Sequence, residues 1–207
     1  MIGLVVSYAF VGAILGLAQL IEKTNLLGSE GTRKFIHIAV AHWFLLAIVL
    51  FDNAWLASVV PASFIVLNYL SFRFNLVSAM ERDEKTPENL GTVYYAISLT
   101  IVTYFAFTYE LYAVGAFAIL AMGWGDGLAG AIGKRYGRRK IYQAKTFFGT
   151  CTMFLTLLVL AFALIQEAYA YLLIVVAIGT LVELFTPSGF DNLSVPLFLF
   201  FSVVMIL

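Results

Sequence analysis

Long apolar runs separated by short polar connections make up almost the whole chain. Runs of the roughly 17–25 residues that carry a helix across a bilayer fall at 2–21, 34–51, 54–72, 90–108, 111–132, 148–166 and 168–186, and a shorter one at 192–207 ends the chain. The pattern predicts an all-α fold, a polytopic integral membrane bundle of about eight transmembrane helices. Counts of about seven or nine are its neighbours, because Pro61 and Pro196 blur two boundaries. The first run has no basic flank before it and reads as a retained helix, not a cleaved signal peptide. No low-complexity linker, heptad or internal repeat interrupts the series, which predicts a single transmembrane domain over 1–207.

Composition sharpens the membrane assignment. Hydrophobic residues make up 62% and charged residues 12%, with a mean hydropathy of +0.97, more apolar surface than a water-soluble domain of this length can bury. The zero net charge hides a strong asymmetry. Lys23, Arg33, Lys34, Arg73, Arg82, Lys85, Lys134, Arg135, Arg138, Arg139, Lys140 and Lys145 all fall between spans one and two, three and four, or five and six. The opposite connections are short and carry only Asp52, Glu110 and Glu167. The positive-inside rule then puts both termini outside and the three basic connections in the cytoplasm. In the longest connection, Glu81 to Lys85 reads as a solvated helix end, and Thr86-Pro87 as an N-cap with Pro at the first helical position, restarting the chain as span four. The lone Cys151 excludes an internal disulfide and reads as a packing residue.

Four polar clusters fall on this cytoplasmic side. Arg33, Lys34 and His37 stand one turn apart at the start of span two, where they either face one cavity or merely anchor the helix, with His37 packed. His42, off that face, reads as structural. Asp126 lies among glycines at the end of an apolar run. The string from Gly125 through Gly127 to Gly130 imitates a dinucleotide fingerprint, but the preceding Leu111 to Met122 is a membrane helix and not a strand. The glycines there allow close helix packing, or else a break that exposes backbone N–H groups to phosphate. A carboxylate at that depth must be protonated, paired or bound to a cation. The third cluster is the basic loop from Lys134 to Lys145, in which Arg138, Arg139 and Lys140 carry the topology signal or a binding patch. Lys145-Thr146 stands at a helix start, where an ammonium and a hydroxyl suit a nucleotide phosphate, although no Walker A glycines precede it. The fourth is Glu183 within span seven, followed by Asp191-Asn192; with Asp126 these acids suit one or two metal ions.

In order along the chain, Arg33-Lys34-x-x-His37, Gly125-Asp126-Gly127 with Ala129, Gly133 and Gly137, Lys145-Thr146-x-x-Gly149-Thr150, and Glu183 followed by Asp191-Asn192-Leu193-x-Val195-Pro196 resemble the CTP-dependent polyprenol kinase family, which includes phytol, farnesol and dolichol kinases. The resemblance covers about residue 33 to the C-terminus, and the short length is closest to phytol kinase-like members. It implies a transmembrane lipid-kinase domain that moves the γ-phosphoryl group of CTP to the hydroxyl of a long-chain isoprenoid alcohol, with Mg²⁺ as cofactor. By the same resemblance Asp126 binds the metal, with Glu183 and Asp191 as further metal candidates, and Lys145 binds the phosphates. Thr146, Gly149 and Thr150 line the nucleotide site, with Arg33, Lys34, Gly125, Gly127 and Asn192 as further binding candidates. The catalytic candidates are Asp126, Lys145, His37 and Asp191. Gly130, where phytol kinases often have Asp, and Phe148, where they have a small residue and dolichol kinases Glu, depart from the pattern and leave the acceptor alcohol open. The expected partners are CTP, the alcohol and the lipid bilayer, with no nucleic acid. Two rivals are a CDP-lipid-forming cytidylyltransferase and an ion-coupled transporter using Asp126 and Glu183, the second disfavoured because no charge continues across mid-bilayer.

Overall fold

The computed structural model describes residues 1–74, 76 and 90–207. In a bilayer every backbone polar group must find its partner within the chain, so apolar runs become helices. Nine helices appear among the described residues: α1 (Ile2–Lys23), α2 (Gly28–Ala41), α3 (Trp43–Leu50), α4 (Ala54–Phe74), α5 (Gly91–Thr108), α6 (Tyr112–Tyr136), α7 (Phe147–Leu164), α8 (Tyr169–Phe185) and α9 (Asp191–Val204). Six stretches are long and apolar enough to cross a membrane, one of them Gly28–Leu50, which joins α2 and α3; α8 and α9 are shorter apolar helices. The fold is a polytopic helical membrane bundle. The charge run at Glu81 to Lys85 and the Thr86-Pro87 cap lie outside the described residues.

Two local features depart from the hydropathy pattern. Span two begins at Gly28 and is interrupted at His42. There the imidazole Nδ1 lies 2.9 Å from Ile38 O, the carbonyl an α-helix reserves for the His42 amide, and that amide turns to Ala39 O instead. The basic loop also contains a small antiparallel hairpin, β1 (Lys140–Tyr142) against β2 (Lys145–Thr146), with a register irregularity and Gln143 at φ 48° in its turn.

Burial places α6 at the centre. In the most apolar 18-residue window of α6, 67% is buried, against 22% for both α1 and α7. Gly123 lets α6 approach α2 closely, since a Cβ there would collide with the Ala41 side chain and lie 3.1 Å from His37 O. Phe117, Ile119 and Met122 of α6 pack fully buried with Trp43 and Phe44 of α3. The outer helices turn large apolar side chains outward, with Val49 82%, Trp55 71% and Val159 66% exposed. A soluble surface does not carry such a belt, and lipid tails cover it at no cost. The alternation of helices brings the starts of α2, α5, α7 and α9 and the ends of α6 and α8 to one end of the bundle, around a common cavity.

Candidate active site

The cavity has a volume of about 490 Å³, and five basic and four acidic side chains line it. The first turns of α2 present Arg33, Lys34 and His37 to it on one face. Lys34 crosses to α6, its Nζ 2.6 Å from Asp126 Oδ2. The path runs over Gly130, where a Cβ would come within 2.7 Å of Lys34 Cε. Asp126 is therefore paired with a cation of α2, the option that removes most of the cost of a carboxylate at this depth. Arg33 makes a one-turn ion pair with Glu30 at 3.0 Å.

A second lysine organises the other wall. Lys145 Nζ stands 2.7 Å from Glu183 Oε1 and 3.4 Å from Asp191 Oδ2, and it also donates to the main-chain oxygen of Glu183. That carbonyl belongs to the last turn of α8, where helix carbonyls have no intrahelical partner. Asp191 is held in turn, its Oδ1 accepting from the amides of Gly189 at 3.0 Å and Asn192 at 3.1 Å. At the start of α7 the N-cap Thr146 accepts from the Gly149 amide at 3.2 Å. Among the described residues the buried Thr150 hydroxyl, one residue further along this cavity wall, has no hydrogen-bond partner.

His37 joins the two walls. Its Nε2 lies 2.8 Å from Asn192 Oδ1, and Asn192 Nδ2 donates to Gly91 O at 3.2 Å. Because the amide nitrogen is committed to Gly91, its oxygen faces the imidazole, so Nε2–H is the donor in this contact. Ser98 Oγ donates to Asn192 O at 2.7 Å, fixing α9 to α5. The His37 ring lies 4.3 Å from the ring of Tyr95.

The structure thus brings Arg33, Lys34, His37, Asp126, Lys145, Thr146, Gly149, Thr150, Glu183, Asp191 and Asn192 to one cavity. Gly125 and Gly127 lie within the unbroken α6 and fit against Met153 of α7 and Ile38 of α2, so of the two readings given for these glycines the structure has the close helix packing and not the break. The three acids line the cavity without forming a ready metal cluster, since no group of three or more metal-ligating side chains occurs among the described residues. His42 stays off the cavity, bonded to Ile38 O and 5.7 Å from the Trp124 ring. The sequence reading missed Gly91, Thr92 and Ser188-Gly189, which carry no distinctive chemistry. It also grouped Lys140 with Arg138 and Arg139, although Lys140 alone of the three lines the cavity.

Fold and site together define a polytopic membrane protein whose polar chemistry is gathered in one charge-paired cavity at the helix ends. The phytol kinase of Synechocystis sp. is 31% identical over 95% of this chain and 87% of its own length. A probable phytol kinase 1, chloroplastic, of Oryza sativa subsp. japonica is 28% identical over 92% of this chain and 68% of its own, and phytol kinase 1, chloroplastic, of Arabidopsis thaliana is 27% identical over 86% and 66%. The chain belongs to the phytol kinase family and is an enzyme of the kinase class. No family model and no solved structure matches it.

Proposed function

We propose that the protein transfers the γ-phosphoryl group of CTP to the hydroxyl of a phytol-like isoprenoid alcohol, releasing CDP and the alkyl monophosphate at the cytoplasmic membrane face. The observation that carries this reading is the lining of the cavity: two lysines held among three carboxylates, beside the start of α7 with its unpartnered Thr150 hydroxyl. Phosphoryl transfer asks for positioning and charge neutralisation more than covalent chemistry from the protein, and these groups supply both. The choice of CTP rests on the family resemblance.

In this reading Lys145 and the α7 N-terminus take the phosphates, with Thr146 and Thr150 offering hydroxyls. Lys34 and Arg33 face the same charge from α2. The alcohol oxygen attacks the γ-phosphorus, the bond to the bridging oxygen of CDP breaks, and in this reading His37 takes the alcohol's proton while Asn192 holds the ring. The donor set fits Mg²⁺, which prefers oxygen ligands from one or two carboxylates together with phosphates; Asp126 and Asp191, with Glu183 nearby, would hold it. Bound there, the metal would neutralise charge on the phosphate oxygens. Glu183 and Asp191 also keep Lys145 extended into the cavity.

Purified protein supplied with γ-labelled CTP and, separately, phytol, geranylgeraniol, farnesol, undecaprenol or diacylglycerol tests the proposal. Label on an isoprenoid alcohol with release of CDP is the expected result. Release of pyrophosphate with a CDP-lipid product identifies the cytidylyltransferase instead, and absence of any labelled lipid overturns both.

A further inference from the structure

The two lysines of the cavity are held very differently. Lys145 has three acceptors, Glu183 Oε1, Asp191 Oδ2 and the Glu183 carbonyl, whereas among the described residues Lys34 Nζ bonds Asp126 Oδ2 alone. A single acceptor makes the Lys34 pair exchangeable: an anion that takes over the lysine and a cation that takes over the acid leave both charges paired. A second cation on Asp126 while Lys34 stays there is repelled at contact distance.

The face of α6 gives Lys34 somewhere to go. Asp126, Gly130 and Gly133 follow at i, i+4 and i+7 on that helix, about one turn apart. The lysine stem crosses at the middle position, where a Cβ on Gly130 would lie 2.7 Å from Lys34 Cε and 3.1 Å from its Nζ. Gly133, the next turn on, abuts the start of α7: a Cβ there would stand 2.8 Å from Thr146 Oγ1 and 3.5 Å from Gly149 Cα. The lysine end therefore has Asp126 one turn to one side and the α7 N-terminus one turn to the other, with glycines clearing the way between them. A flexible lysine stem spans that interval by changing rotamer, without movement of α2.

We propose that Lys34 is an exchangeable counter-ion: it pairs with Asp126 until a polyphosphate at the start of α7 draws it along α6, and Asp126 is then released to a divalent cation. The inference rests on the proposed kinase reaction and adds to it the order in which the site fills. A cation arriving alone finds Asp126 taken, whereas a nucleotide brings the negative charge that frees it, so cation and nucleotide enter together. Gly130 is the residue that lets the stem pass, and Lys145, tied by three acceptors, stays in place while Lys34 moves.

The test is a titration of the purified full-length protein with Mn²⁺, followed by electron paramagnetic resonance, without nucleotide or alcohol. Lys34→Met should bind Mn²⁺ at least about tenfold more tightly than the unaltered protein, the effect of removing a competing charge at contact distance. That gain should vanish when Lys34→Met is combined with Asp126→Asn. Gly130→Ala keeps both charges and pushes only the flexible end of Lys34 aside, so it decides the matter if Lys34→Met does not insert; it should tighten Mn²⁺ binding at least about threefold. In a second measurement, with EDTA present, labelled CTP should bind Lys34→Met at least about tenfold more weakly than the unaltered protein, because the lysine drawn to the phosphates is gone. Unchanged Mn²⁺ affinity in these variants, a gain that persists without the Asp126 carboxylate, or undiminished CTP binding overturns the proposal. Because neither measurement involves phosphoryl transfer, a protein that shows both effects yet phosphorylates no alcohol fails the kinase reading and not this one.

Discussion

Lys145 carries one positive charge and meets two carboxylates and a main-chain carbonyl, so the acids outnumber it, which under the proposed reaction leaves them able to meet a further cation. Asp126 has a single lysine partner. Asp126→Asn should insert and fold, because the amide oxygen can still accept from Lys34, but lose on the order of 100-fold or more in kcat, since an amide is a poor ligand for a hard cation; turnover at saturating Mg²⁺ checks this. Lys145→Ala should lower kcat/KM for CTP far more than Arg139→Ala, because Lys145 is largely buried against the acids, whereas Arg139 is exposed and off the cavity wall. Equal losses would turn the whole basic loop into a diffuse electrostatic patch. At this scale the sequence announced the participants but not their pairings. Asp126 stands out in any reading as a carboxylate at membrane depth, yet its partner lies 92 residues away. The His37 to Asn192 contact spans 155 residues, and no spacing rule reaches that far.

Helices were legible because a bilayer leaves an apolar run no other structure. The break at His42 was not, because it depends on one imidazole outbidding its own backbone for a carbonyl. The hairpin at Lys140–Tyr142 and Lys145–Thr146 was hidden as well, its strands being only three and two residues long, too short for alternation to show. Helix packing gives a sharp expectation at this scale. Gly123→Leu should wedge α2 away from α6, costing about 1–3 kcal/mol by overpacking and separating Lys34 from Asp126. Gly16→Ala on α1, where an added Cβ meets nothing within 4 Å, should leave thermal unfolding in detergent unchanged or raise it slightly, since alanine favours a helix over glycine. A Gly123→Leu protein as stable as the Gly16→Ala control would mean that the α2–α6 contact is looser than the structure has it.

Across the whole molecule, the cavity lies at the end of the bundle that receives the start of α2 and the connection between α6 and α7, both basic, so the charge rule predicts a cytoplasmic cavity. In a Cys151→Ala background, Arg138→Cys should react with a membrane-impermeant thiol reagent only after the cytoplasmic face is opened, while Asp52→Cys in the α3–α4 turn should react in intact cells; both positions are exposed. Labelling of the Arg138 position from outside would overturn the orientation and, because CTP is cytoplasmic, the proposed reaction with it. The lysine-to-acid pairs also bear on how such a protein is born. Synthesis runs from the N-terminus, and in every pair of the cavity the lysine precedes its acid: Lys34 comes before Asp126, and Lys145 before Glu183 and Asp191. A lysine can wait at the interface by extending its stem toward water, whereas a carboxylate drawn to depth cannot. Asp126, Glu183 and Asp191 therefore reach the membrane after their lysines have been laid down, whereas Glu30, half-exposed at the rim, precedes its partner Arg33 by three residues.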